Sequence, residues 1–213
     1  MPAWTLQTLT VGPLQMNAYL LSASASGEAI LIDPGDEPDL LLRALENSGC
    51  QLRYLVCTHG HFDHVGAAAA VQAHWDLPLL CHPADRLIIE SMPDIQAVYG
   101  FLNTDIPRLS AELTHGQPLH FAGAEIQVRH VPGHSPGHVM FVWEQSTLVG
   151  DCIFAGSIGR TDLPGGSFAR LEKSIQDEIY TLPDSTCLYP GHGPATTVGR
   201  EKATNPFVTL RPR

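Results

Sequence analysis

The stretch Thr58-His59-Gly60-His61-Phe62-Asp63-His64 places four metal-capable side chains within six residues, directly after the apolar run Tyr54–Cys57. Neutral imidazole and carboxylate are ligands that Zn²⁺ and similar borderline ions take. Where such a segment turns from strand into helix, His59 and His61 can project to one side. Asp63 and His64, at the helix start, then point to a neighbouring position, so one tight turn can serve two adjacent ions. Three later segments repeat the order of apolar strand, glycine and ligand type. Val128–Val131 leads into Pro132-Gly133-His134, Leu148-Val149 into Gly150-Asp151, and Leu188-Tyr189 into Pro190-Gly191-His192. Sites in α/β sheets gather where strands end at their carboxyl edge. Seven candidate ligands on four strand ends therefore predict a dinuclear site rather than scattered surface histidines.

Other polar residues fall into supporting or ordinary roles. His138, in Pro136-Gly137-His138, is expected to hydrogen-bond behind the ligands. Asp33, in Ile32-Asp33-Pro34-Gly35, is a ligand by type, but a turn-forming aspartate before Pro-Gly is the better reading; it too is placed behind the ligands. His74, His82, His115, His120 and His130 lack the Gly-His strand-end context and read as ordinary histidines. Cys57 and Cys152 flank ligand segments without any His–Cys spacing signature, and read as packing residues.

Nine short apolar runs bounded by Gly, Pro or Asp predict the strands that carry these turns: Trp4–Val11, Ala18–Ser22, Ala29–Ile32, Tyr54–Cys57, Leu79–Cys81, Ile126–Val131, Val139–Trp143, Thr147–Val149 and Thr186–Tyr189. Pro38 and Gly49 bracket one helix, with Leu41, Leu42 and Leu45 on one side. A second helix is alanine-rich and spans Val65–Trp75. A third starts near Ser167 and sets Leu171, Ile175 and Ile179 four apart in an apolar stripe. This alternation is that of an α/β protein. Without linker, repeat or low-complexity run, residues 1–213 read as one domain. The segment Ala84–Phe121 mixes helical turns with Pro93, Gly100 and Pro107, and suits either a substrate wall or a helical excursion over the core.

Composition narrows the possible partners. The 22 acidic residues against 12 basic ones give a net charge of −10. That balance argues against nucleic-acid or anionic-membrane binding through overall charge. No apolar run approaches the roughly 18 residues of a membrane span, and no basic residue precedes Arg43 as a secretory signal requires. The five cysteines contain no CxxC pair. They read as reduced thiols, and the expected location is the cytoplasm.

The pattern His59-x-His61-x-Asp63-His64, followed by His134, Asp151 and His192, resembles the metallo-β-lactamase-fold hydrolases. The resemblance implies an αββα sandwich with the metal site at one edge of its two sheets. It implies that His59, His61 and His134 bind one divalent ion, that Asp63, His64 and His192 bind a second, and that Asp151 bridges them. Zinc is the expected metal, with iron or manganese also suited to the donor set. Within the superfamily, Thr58-His59-Gly60-His61, the run from Pro132 to His138, and Tyr189-Pro190-Gly191-His192-Gly193-Pro194 look most like the glyoxalase II group of hydroxyacylglutathione hydrolases. Longer members of that group continue into a C-terminal helical domain; here the chain stops at Arg213, and the likeness is to short single-domain members.

The activity so implied is hydrolysis of a thioester, S-D-lactoylglutathione, by a metal-bridging hydroxide, with Asp63 and Asp151 able to accept its proton. The partner is then a small glutathione conjugate. Gly159-Arg160-Thr161-Asp162 lies about where related enzymes carry a basic residue against the substrate's glycine carboxylate. Arg160 either serves that role or pairs with Asp162 to fix its loop. Alternative activities of the same fold are hydrolysis of another ester or a β-lactam, and mononuclear-iron persulfide dioxygenation. The dioxygenases typically carry Pro-Ala-His-Asp at the last histidine, whereas Gly191 and Gly193 stand here.

Overall fold

The computed structural model describes residues 4–101 and 105–210. One six-stranded sheet runs in the order β1 (Thr5–Val11), β2 (Met16–Ala23), β3 (Glu28–Ile32), β4 (Gln51–Val56), β5 (Leu79–Cys81) and β6 (Leu109–Glu112). The other runs from β7 (Pro118–Phe121) through β8 (Ala124–His130), β9 (Val139–Trp143), β10 (Ser146–Gly150) and β13 (Cys187–Pro190) to β14 (Thr196–Thr197). A small hairpin, β11 (Ile153–Phe154) and β12 (Ser157–Ile158), follows β10.

Alternation along the strands builds three apolar layers. In β2, Tyr19, Leu21 and Ala23 face Phe121, Ile126, Phe141 and Leu148 of the opposite sheet. Ala18 and Leu20, on the other face, join Leu41, Ala44 and Leu45 of α1 (Pro38–Ser48) and Ala68 and Val71 of α3 (Ala68–His74). β9 divides likewise: Val139, Phe141 and Trp143 enter the inter-sheet core, while Met140 and Val142 meet Leu171 of α6 (Phe168–Ser174). Strands buried on both faces read as continuous apolar runs, which is why β2 and β9 have no polar face. The result is helix, sheet, sheet, helix.

Strand direction then places the site. Strands β3, β4, β5 and β6 are parallel, connected through helices, so their carboxyl ends share one edge. In the second sheet β10 is parallel to β13, and β8 runs the same way because each pairs antiparallel with β9. The candidate turns after β4, β8, β10 and β13 thus emerge along one rim.

Several expectations are corrected. The helix expected over Val65–Trp75 is two pieces, α2 (Phe62–Val65) and α3, parted at Gly66 and Ala67. Gly66 packs against the Asp33 turn, where a Cβ would lie 2.6 Å from the Gly35 carbonyl, and the Ala67 N–H donates to the Pro34 carbonyl. The stripe through Leu171, Ile175 and Ile179 is buried, but its second half is a π-turn over Ile175–Ile179. Strands β6, β7, β11, β12 and β14 were not expected from the pattern, being two to four residues long. The segment Ala84–Phe121 contains α4 (Arg86–Glu90), α5 (Met92–Tyr99), β6 and β7, with residues 102–104 outside the described part.

Candidate metal centre

His59 and His61 lie on the turn between β4 and α2, and His134 on the turn between β8 and β9. Their nitrogens meet: His59 Nε2 to His61 Nδ1 is 3.0 Å, His61 Nδ1 to His134 Nε2 is 2.9 Å, and His134 Nε2 to His59 Nε2 is 3.2 Å. For His134 and His59 the far side of the ring assigns the proton. His134 Nδ1 sits 2.8 Å from the Arg160 carbonyl, which only accepts, so Nδ1 is protonated and Nε2 offers a lone pair. Thr58 Oγ1 donates to Asp33 Oδ2 and so accepts from His59 Nδ1, leaving His59 Nε2 bare as well. Burial, and then the neighbouring imidazoles, hold His59 well below its ordinary pKa; burial and His134 bring His61 to about 3. Two bare Nε2 atoms, those of His134 and His59, thus face each other at 3.2 Å, an arrangement that a cation beside them relieves. This donor set fits a borderline divalent ion.

A second group adjoins the first. His192 Nε2 is 3.2 Å from Asp63 Oδ2, and His64 Nε2 is 3.4 Å from Asp151 Oδ1 and 3.8 Å from Asp63 Oδ2. Asp151 Oδ2 lies 3.6 Å from both His134 Nε2 and His192 Nε2, between the two groups. His64 Nε2 and Asp151 Oδ1 are buried with no hydrogen-bond partner among the described residues. Such orphaned atoms facing each other also fit a missing cation. All seven candidate ligands are therefore brought together, in sets whose donor atoms lie within 4.8 Å of one another.

Burial opposes charge on His64, but the carboxylates of Asp151, Asp33 and Asp63 outweigh it and hold His64 well above its ordinary pKa. Burial likewise raises Asp151 and Asp63, yet His64 and its neighbours leave both below the usual carboxylate range. The direction of that shift favours a proton on His64 when no metal is bound, a proton that ligation displaces. Divalent-metal binding at pH 7 is expected to release about one proton from this residue. Calorimetry in buffers of differing ionisation enthalpy measures the release, and His64→Ala should abolish that part of it.

The supporting layer is only partly as expected. Asp33 is more than a turn residue: its buried carboxylate accepts from the Thr58 N–H (2.6 Å), from Thr58 Oγ1 (2.9 Å) and from His64 Nδ1 (3.0 Å). His138 Nε2 accepts the Asp151 N–H at 3.0 Å, and its ring stacks on His59. The Arg160 guanidinium makes a bidentate pair with Asp162, at 2.7 and 2.8 Å, on an exposed loop. That pair raises Arg160 and lowers Asp162 to about 2. His82 stacks on His130, whose N–H donates to His115 Nδ1, and His120 and His74 lie elsewhere at Glu125 and Trp75.

Three contributors escaped sequence reasoning, the carbonyls of Arg160 and Leu14 and the side chain of Asp85. The Arg160 and Leu14 carbonyls orient His134 and His192, and a carbonyl carries no side-chain signal. Asp85, buried against two ligand turns, did carry one: Leu79–Cys81 followed by His82-Pro83-Ala84-Asp85 repeats the strand, turn and carboxylate order. Gly191 is required sterically, since a Cβ there would stand 2.2 Å from Asp151 Oδ1 and 2.6 Å from His64 Cε1.

A cleft of about 690 Å³ opens beside Asp63, walled by Leu14, Met16, Phe62 and Phe101, with Asp36 and Asp105 on its border. The middle of the Ala84–Phe121 segment thus contributes a wall. Among its described lining residues there is no Lys or Arg.

An αββα sandwich with this His/Asp cluster on its rim is the architecture of a class of metal-dependent hydrolases. The chain belongs to the metallo-beta-lactamase superfamily, whose sequence profile matches residues 11–192. It is 34% identical to the hydroxyacylglutathione hydrolase GloC of Haemophilus influenzae over 97% of this chain and 99% of that one. Among solved structures it resembles the BLEG-1 B3 metallo-beta-lactamase (35% identity, TM-score 0.88, 96% of this chain and 100% of that one). It also resembles TTHA1623 in a di-iron-bound form (40% identity, TM-score 0.85, 95% and 100%). No helix among the described residues is long and apolar enough to cross a membrane.

Proposed function

We propose that the protein is a thioester hydrolase acting on S-D-lactoylglutathione, with two divalent ions per chain. The observation that carries this reading is the pair of adjoining donor groups joined by Asp151, in a chain alike over its length to GloC. His59, His61 and His134 would hold one ion, Asp63, His64 and His192 the other, and Asp151 both. Zinc suits this set, as do iron and manganese. When bound, such a pair supplies a water that ionises near pH 7 and a Lewis acid for the carbonyl oxygen.

The chain's own residues do the rest. Either Asp63, which borders the cleft, or Asp151 would take up the one proton released by the attacking water. The buried rings of His59 and His64 are fixed by Thr58 and Asp33, so the donor atoms need little reorganisation during the reaction. No side chain is needed as nucleophile. Hydrogen bonding to Cys81 and burial push the Cys57 thiol up, burial pushes up Cys152, and both are inaccessible. A cytoplasmic setting, where thiols stay reduced, suits the five free cysteines.

Arg160 serves the glutathione carboxylate by exchanging Asp162 for the substrate. On that reading Arg160→Ala raises KM for the glutathione thioester about tenfold, equivalent to about 1.4 kcal/mol, with kcat kept. An unchanged KM would assign the guanidinium to the loop alone.

β-Lactam hydrolysis is the second reading, favoured by the likeness to BLEG-1. Mononuclear persulfide dioxygenation is disfavoured by Gly191, whose lack of a side chain leaves Asp151 and His64 in place. The deciding experiment is metal analysis followed by assays on S-D-lactoylglutathione, a β-lactam, and glutathione persulfide with O₂, using His192→Ala as control. Thioester turnover lost in His192→Ala supports the proposal. Background thioester turnover, with β-lactam cleavage or O₂ uptake instead, overturns it.

A further inference from the structure

Asp85 ends the one-turn 3₁₀ segment Pro83–Asp85 that follows β5, and it is fully buried. Burying a carboxylate is costly unless its oxygens are well supplied with donors. No cationic group pairs with it among the described residues; instead three donors reach it. Oδ2 accepts the Gly60 N–H at 2.9 Å and Ser135 Oγ at 2.6 Å, while Oδ1 accepts the Gly137 N–H at 2.6 Å. Gly60 lies between His59 and His61, and Ser135 follows His134. Every donor therefore belongs to a turn that carries the three-imidazole group. One turn comes from the first sheet and the other from the second.

We propose that Asp85 is a positioning residue for the three-imidazole site, a carboxylate clamp holding the His59–His61 turn and the His134 turn in register across the two sheets. The need for one follows from the packing. The sheets meet through apolar side chains, which set their separation without setting the position of an imidazole to a few tenths of an ångström. Ligand sets demand tolerances of about 0.5 Å, supplied by the hydrogen bonds behind the ligands. A carboxylate offers two acceptor oxygens at a fixed spacing: Oδ2 takes one donor from each turn, and Oδ1 takes a second donor from the His134 turn. The fit is close: a Cβ on Gly137 would lie 2.8 Å from Asp85 Cγ, and one on Gly60 would lie 3.0 Å from the Asp85 carbonyl. A separate tie, the Val139 N–H to the Thr58 carbonyl at 2.8 Å, joins the same two turns. Loss of the clamp should thus loosen the ligand triangle while leaving the sheets docked.

Asparagine at this position keeps the shape but has one acceptor oxygen, so its NH₂ faces either the Gly137 N–H or the Gly60 N–H and Ser135 Oγ together. The proposal rests on the metal reading above, and the test separates the two. Zn²⁺ is titrated into the full chain against a chromophoric chelator, with the two binding steps assigned through His61→Ala and His192→Ala. Asp85→Asn should weaken the three-imidazole ion by about 10–100-fold and leave the other within about twofold. Ser135→Ala, which removes one of the three donors, should weaken the same ion by a few-fold. A folded Asp85→Asn chain that binds both ions as the wild type does, or weakens both equally, overturns the clamp. If Asp85→Asn does not fold, Ser135→Ala decides: selective loss at the three-imidazole site supports the clamp, and equal loss or none overturns it. Wild-type protein that binds no second ion would instead overturn the two-ion reading.

Discussion

Asp151→Ala should lower kcat/KM for the thioester by at least about 10³-fold. Of the seven side chains, Asp151 is the one whose carboxylate reaches both groups, with Oδ1 towards His64 and Oδ2 equidistant from His134 and His192. Truncation leaves six donors but no anion between the two cation positions, and their mutual repulsion is then uncompensated. A loss of about 4 kcal/mol of transition-state stabilisation, at 1.36 kcal/mol per decade, accounts for three orders of magnitude. Metal content should fall from two ions per chain to one or fewer, measured by mass spectrometry of the dialysed protein. Asp151 is also the carboxylate that does most to keep His64 protonated without metal, so the variant should release less proton on loading. Turnover and metal content like the wild type's would refute the bridging role.

The second large effect is expected from Asp33→Asn, at a residue that touches no ion in this arrangement. Its carboxylate accepts three donors, and His64 Nδ1 is one of them. An amide can oppose His64 with its NH₂ group, which favours the tautomer carrying its proton on Nε2. That atom faces Asp151 and is then no longer a donor to a metal. Alternatively the NH₂ group opposes the Thr58 N–H and leaves it unpaired. A buried unsatisfied donor costs about 1–3 kcal/mol, so stability should fall by about that amount. Affinity for the ion held by Asp63, His64 and His192 should drop by about 10–100-fold. Thermal unfolding of the metal-free chain reads the first effect and zinc titration the second. Unchanged values in both would remove Asp33 from the supporting layer.

The ligand turns were legible because they obey a local grammar, in which an apolar strand is followed by a glycine and then His or Asp. Burial dictates the first part, a close backbone turn the second, and chemistry the third. The long strands followed for the same reason, and so did α1, whose Pro38 and Gly49 mark both ends. Departures arose where a distant segment overrode a local preference. The alanine-rich helix breaks at Gly66 because the Asp33 turn, some thirty residues away in the chain, packs there. The shortest strands, such as β11, β12 and β14, hold too few residues to show a period.

By itself the sequence determined which side chains are available as donors, the strand ends that bear them and the alternation of strands and helices. All of these are properties of neighbouring residues. Distances, proton positions and partners were decided by the tertiary structure alone. The contact of His61 with His134 spans 73 positions and that of His134 with His59 spans 75. Carbonyls of Leu14 and Arg160 choose the tautomers of His192 and His134, and Asp85 reaches across both sheets. Such choices depend on which surfaces meet when the two sheets close on each other, and no local pattern of polarity or spacing encodes that meeting.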